Sequence, residues 1–148
     1  MAARPTLMHA HRHTTTYTQI VQNCSVQNYG NVKILVTDGC GEWKRPIGLI
    51  KWDMSSIDPG TKVTSASVTL TGTDSRPRLM KPYSLKRTWV ELTATRNVYA
   101  SGKRWKKAGA QGPLDSDAAV VDTIAVGNGW SNLSPFLRRG AELSGQSG

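Results

Sequence analysis

The side chains that could do chemistry in this sequence are few and fall in four places. His9, His11 and His13 form an H-x-H-x-H series; on an extended strand, where side chains alternate between faces, the three imidazoles would share one side and could ligate a transition metal. They stand in a terminal arm with no carboxylate close behind them, which makes metal the weaker reading beside a solvated arm. Asp115 and Asp117 offer oxygen ligands of the kind calcium takes, but two carboxylates fall short of the six or more oxygens calcium gathers. Cys24 and Cys40, sixteen positions apart, could close a disulfide or serve as small half-buried residues, and structural zinc would need four ligands at tighter spacing. Finally, Arg96, Tyr99, Lys103, Arg104, Trp105, Lys106 and Lys107 place two aromatic rings within a run of cations. That combination suits a sugar ring, a partner's loop or an acidic polymer. The chain contains no G-x-S-x-G, no H-E-x-x-H and no phosphate-cradling glycine loop, and its three histidines are the whole supply of imidazole bases. No catalytic residue and no cofactor are expected.

The charge agrees with a binding role and locates it. Of the 19 Lys and Arg residues, ten lie between Arg76 and Lys107, against a single acid, Glu91; elsewhere nine bases and nine acids balance. The net charge of +9 therefore comes from one segment, and that segment faces either solvent or something acidic: a protein, an anionic polysaccharide or nucleic acid. Nucleic acid is the least favoured of the three, since no known nucleic-acid-binding fold is legible around Tyr99 and Trp105. No apolar run nears the roughly 20 residues of a membrane helix, and the first thirty residues carry no apolar block of a secretory signal.

The frame that must position these residues reads as all-β. With 148 residues the chain matches one ordinary domain. Residues 1–13, with a proline and no periodicity, read as an extended N-terminal arm; residues 14–137 as the folded domain; residues 138–148 as a Gly/Ser-rich tail. Thr14 to Val21 is a β-branched run with strong strand propensity. Val32, Ile34 and Val36 alternate with Lys33, Leu35 and Thr37, which predicts a second strand. Ile47 to Met54 reads as a central strand, and Ala66, Val68 and Leu70 alternate with serines and threonines in a half-buried strand after the Pro59-Gly60 turn. Tyr83 to Thr88 and Ala118 to Val126 add further strands, while Thr88 to Arg96 has room for one helical turn. No stretch carries an apolar stripe at helical spacing long enough for a substantial helix. Short strands between Gly- and Pro-rich turns, with no helical layer, predict a sandwich, jelly roll or barrel.

Four blocks in this order resemble the DNRLRE domain, a jelly-roll module similar to carbohydrate-binding modules. They are Asn28-Tyr29-Gly30 with Val32 to Val36; Gly48 to Ile57, ending Trp52-Asp53-Met54-Ser55-Ser56-Ile57; Pro59-Gly60-Thr61 through Leu70; and Trp89-Val90-Glu91-Leu92-Thr93-Ala94-Thr95 followed by Trp105 and Gly109 to Asp117. The resemblance implies a jelly-roll β-sandwich in which Trp52, Trp89, Gly60, Ala66, Val68 and Leu70 are core or corner residues. The chain departs from the family's pattern after Trp130, where Pro135 interrupts the expected closing strand; a shortened or missing last strand would leave an edge for a neighbouring subunit to cover.

Two functions follow as expectations. A lone domain with an extended arm, an unfinished edge and a basic face fits a virion building block, such as a phage capsid decoration protein that binds the outer surface of the major capsid protein shell and its own copies, with a trimer favoured by analogy with shell-decorating jelly rolls. The family resemblance taken alone favours a carbohydrate-binding module that reads an acidic glycan through Trp105, Tyr99 and the surrounding cations.

Overall fold

The structure, a computed structural model, describes residues 15–36, 44–62, 68–72, 78–126 and 129–133. Within them lie ten strands and no helix: β1 Thr15–Ile20, β2 Ile47–Trp52, β3 Val68–Gly72, β4 Arg78–Met80, β5 Tyr83–Leu85, β6 Val98–Ala100, β7 Lys103–Arg104, β8 Ser116–Val120, β9 Ile124–Val126 and β10 Gly129–Leu133. Every ladder is antiparallel, and the fold is all-β. The N-terminal arm with His9, His11 and His13, the C-terminal tail, Ala66 and Cys40 lie outside the described residues.

The strands pair two by two, and the pairing has an order. Apart from the β1–β2 ladder, β3 pairs with β10, β4 with β9, β5 with β8 and β6 with β7. First meets last and the pairs step inward, as in one long hairpin whose two arms travel together to a tip at the β6–β7 turn. Ser101 and Gly102 close that tip; Ala100 faces Lys103 across it, and Gly102 takes a φ of 68°, which a glycine adopts without steric cost. At the open end β9 runs beside β10 as well as pairing with β4.

The β-branched run at the start becomes β1 because its register with β2 sets Thr18 opposite Leu49 and Ile20 opposite Ile47. Thr18, Gln19, Ile20 and Val21 are all completely buried, so both faces of this strand are covered. Ile20, Leu49, Trp89, Ala94, Trp105 and Ala110 form the core, with Ile47, Leu85 and Tyr99 packed against it. Trp89 is thus a core residue as expected, whereas Trp52 and Leu70 are only half-buried. Val68 falls in β3 as its alternation predicts. Gly60 has a φ of 83° and the Thr61 N–H donates to the Asp58 carbonyl at 3.0 Å, which makes Asp58-Pro59-Gly60-Thr61 the predicted β-turn with glycine at its third position.

Three expectations need correction. Val32 to Val36 is no strand: the Val32 N–H closes a turn onto the Tyr29 carbonyl, the Val36 N–H donates to Gln19 Oε1 at 2.7 Å, and Ile34 stands 63% exposed. Its alternation is real, but a side chain captures the backbone that a ladder would have used. The last strand is not missing: β10 runs from Gly129 to Leu133 against all five residues of β3, and the residues that follow it lie outside the described ones. And Ala118 to Val126 is two strands: β8 ends at Val120, with the Val121 N–H still on the Pro82 carbonyl at 2.9 Å beside the Tyr83–Val120 pair, and β9 begins at Ile124 against β4.

Candidate binding face

The basic segment is built on short strands, and side chains supply most of its bracing. From Val90 to Ala94 the backbone makes the predicted single helical turn, with the Ala94 N–H on the Val90 carbonyl at 2.8 Å. Asn28 clamps that turn from across the fold: its Nδ2 donates to the carbonyls of Glu91 and Ala94, each at 2.7 Å, while its Oδ1 accepts the Gly30 N–H. Gly30 is required there, since a Cβ would lie 2.5 Å from the Glu91 carbonyl oxygen. Glu91 Oε1 in turn accepts the Tyr17 N–H at 3.1 Å. Two blocks of the family resemblance, Asn28-Tyr29-Gly30 and Trp89 to Thr95, therefore meet in space and hold one another.

The following block is organised by Asp115. This carboxylate is wholly buried and accepts the N–H groups of Lys106 and Lys107 at 2.9 Å and of Gly112 at 3.0 Å, with Arg87 Nε at 3.3 Å. Burial pushes its pKa up, but the bonds from Lys106, Lys107, Arg87 and Gly112 outweigh that and hold the carboxyl below the usual carboxylate range. A Cβ on Gly112 would sit 2.6 Å from Asp115 Oδ2, so the acid and the glycine are needed together. Asp117 pairs with Lys86 at 3.3 Å. Both oxygens of Asp115 are thus spent on backbone and guanidinium, and the two acids do not form the calcium pair their spacing allowed. Among the described residues no group of three metal-ligating side chains converges.

The predicted face divides. Lys103, Arg104, Lys106 and Lys107 are exposed, and they project from β7 and the turn that Asp115 pins. Trp105, between them in sequence, is not part of a ring platform: it is 5% exposed, sits in the core, and its Nε1 donates to the Thr95 carbonyl at 2.9 Å. Trp105 follows directly on β7, and two bonds turn it inward: its backbone N–H donates to the Asn97 carbonyl at 3.2 Å and its indole to Thr95. Tyr99 is half-buried, with its ring 5.5 Å from that of Trp105 and the Arg87 guanidinium 5.4 Å over its face. Arg96 is buried at 9% exposure against Gly109 and is not among the exposed cations. Asn28, Gly30, Arg87 and Gly112, which position this face, were not singled out from the sequence as site residues; nothing in their local pattern shows that they bind backbone or leave room for it across long stretches of chain. Cys24 is a half-buried free thiol.

No family model, curated protein or solved structure matches this chain.

Proposed function

We propose that the chain is a non-catalytic assembly protein that docks its basic tip onto an acidic face of a protein shell, in the manner of a virion decoration protein. The observation that carries this reading is the disposition of Lys103, Arg104, Lys106 and Lys107. They are exposed, while the nearby carboxylates Asp115 and Asp117 are engaged with the pinned turn, Arg87 and Lys86. A cation cluster on a braced support loses little conformational freedom on docking and steers association with an acidic surface. The nested pairing of β3 to β10 supports a jelly-roll architecture, with the basic tip at the β6–β7 end of the rolled hairpin.

The carbohydrate-binding alternative is weakened by the same geometry. Sugar recognition of the predicted kind needs an open aromatic face, and the Trp105 ring is buried while Arg87 covers Tyr99. The test is cosedimentation of the full chain with purified shells of the virion that carries it, prepared free of it, beside an array of acidic glycans. Saturable shell binding that falls by roughly a hundredfold or more in K103E/R104E/K106E/K107E and weakens with salt is the expected result. Saturable glycan binding lost in the same variant, with none to shells, overturns it. Self-association, with a trimer as the expected state, is read from sedimentation velocity; a strict monomer at high concentration and on the shell removes that part.

A further inference from the structure

The outer face of the long hairpin is apolar where a sheet that meets water is polar. Along its first arm, through β4 and β5, exposure alternates. Leu79, Lys81 and Tyr83 are exposed and Met80, Pro82 and Ser84 are half-buried, so the odd-numbered side chains share the outward side. Their partners on the second arm follow from the register. Leu79 stands opposite Ala125 and Tyr83 opposite Val120, and directly opposed residues project from the same face. Both pairs are therefore turned to water, at exposures of 73% for Leu79, 46% for Tyr83 and 39% for Val120, with Ala125 exposed as well. An antiparallel sheet with one wet face carries polar residues there, and this stretch of hairpin carries apolar ones.

The face is divided by size and by charge. The long side chains, Leu79, Lys81 and Tyr83, all stand on the arm of β4 and β5; the short ones, Val120, Thr123 and Ala125, stand on the arm of β8 and β9. Lys81, on the long arm, has no ion pair among the described residues. Asp122, whose Oδ1 accepts the Thr123 N–H at 2.7 Å, lies on the short arm. A surface split this way is complementary to itself. Cross-strand partners lie at one height along the hairpin, so a rotation axis parallel to the strands keeps that height and brings the long arm of one copy onto the short arm of another. Leu79 then meets Ala125, Tyr83 meets Val120, and Lys81 arrives beside Thr123 and Asp122.

We infer that this face is the contact between copies of the chain. The inference rests on the self-association in the proposed function and not on the docking of the tip, and a three-fold axis running along the strands meets its geometry. Leu79, Tyr83 and Val120 alone leave on the order of 300 Å² of apolar surface open, as much as the largest patch on an ordinary monomer. With Lys81, Thr123 and Ala125 the face offers on the order of 500 Å² per copy, the scale of a reversible contact rather than an obligate one.

The experiment is sedimentation velocity of the full chain over a range of concentrations, with L79E, L92E and K103E/R104E/K106E/K107E beside the native protein. Leu79 and Leu92 are both exposed, so a glutamate at either leaves the interior alone; Leu92 lies on the Val90–Ala94 turn, and only Leu79 lies on the hairpin face. The native chain should pass reversibly from monomer to oligomer. L79E should raise the dissociation constant by roughly thirtyfold or more, the scale of one dominant interface residue. L92E should assemble like the native chain, and the fourfold variant of the tip at least as well, which separates this contact from docking to the shell. Assembly that L79E leaves unchanged, or that L92E disrupts as much, overturns the face as the contact. So does a native chain that is monomeric throughout: a fall in shell cosedimentation in L79E would then give the face to the shell, and a fall in its urea midpoint would give it to another segment of the same chain.

Discussion

The two best-covered parts of this molecule are held together in opposite ways. The β1–β2 ladder runs six residue pairs in unbroken register, and backbone hydrogen bonding does most of the work. It leaves polar side-chain atoms over: Thr18 Oγ1 and Gln19 Nε2 are buried with no partner. The region from Lys86 to Asp115 has only the three- and two-residue strands β6 and β7, with an irregular register between them. There the side chains of Asn28, Thr95 and Asp115 reach backbone groups that no ladder serves: Asn28 takes two carbonyls, Thr95 Oγ1 accepts the N–H groups of Asn97 and Val98, and Asp115 accepts three N–H groups. Where strands are long the sheet satisfies the backbone and a polar side chain is a burden; where they are short, a polar side chain takes the sheet's place.

The largest effect should come from removing the pin of the second region. Asp115→Ala leaves the N–H groups of Lys106, Lys107 and Gly112 and the Arg87 guanidinium without their acceptor. A loss of about 3–5 kcal/mol of unfolding free energy is expected, measured by urea denaturation, because the deleted group is a buried charge with several hydrogen bonds. Loss below about 1 kcal/mol would mean that the turn stands without its acid, and the contrast between the two regions would fail. Next in size is the clamp: Asn28→Ala removes two bonds to carbonyls of the Val90–Ala94 turn and should cost about 2 kcal/mol. Gly30→Ala tests the same contact by crowding, since its Cβ would meet the Glu91 carbonyl at 2.5 Å.

Acid should loosen the second region before the first. The Asp115 carboxyl titrates below its unfolded value of about 3.9, so its contribution is complete above that pH and is lost as pH falls through the lower folded value. The expected observation is that hydrogen-exchange protection at Lys106, Lys107 and Gly112 declines below about pH 4 while that of β1 and β2 persists. Simultaneous loss in both would show that the pin and the ladder open as one unit.

The first region was far more legible in the sequence than the second. Thr15 to Ile20 and Ile47 to Trp52 announce themselves by β-branched content and apolar residues, and the Pro59-Gly60 turn by its residue pair, since both signals are local and backbone-driven. Val32 to Val36 shows the limit of period-two reading: the alternation is the same, but whether a strand forms depends on a partner, and Gln19 took the backbone instead. Trp105 was misjudged for a related reason. Four flanking cations made the neighbourhood look exposed, yet bonds to residues 8 and 10 positions earlier turn the ring inward, the backbone N–H on the Asn97 carbonyl and the indole N–H on the Thr95 carbonyl. The cations themselves were placed correctly on the surface. Bonds such as Asn28 to Glu91 span 63 positions and have no local signature.

The smallest effect is expected where the ladder is strongest, and its sign matters more than its size. Thr18→Val keeps the β-branched shape, preserves the Thr18 to Leu49 register and removes a buried hydroxyl that has no partner. Since an unpaired buried hydroxyl carries its desolvation cost without return, the substitution should be neutral or should stabilise the protein by up to about 1 kcal/mol. Urea denaturation with unchanged slope reads it. Destabilisation of about 1 kcal/mol or more would mean that the hydroxyl is bonded, with an ordered water as the natural acceptor, and that the first region too relies on its side chains. Paired with Asp115→Ala, this variant separates two kinds of buried polar group: one that replaces a missing ladder and one that a complete ladder has left behind.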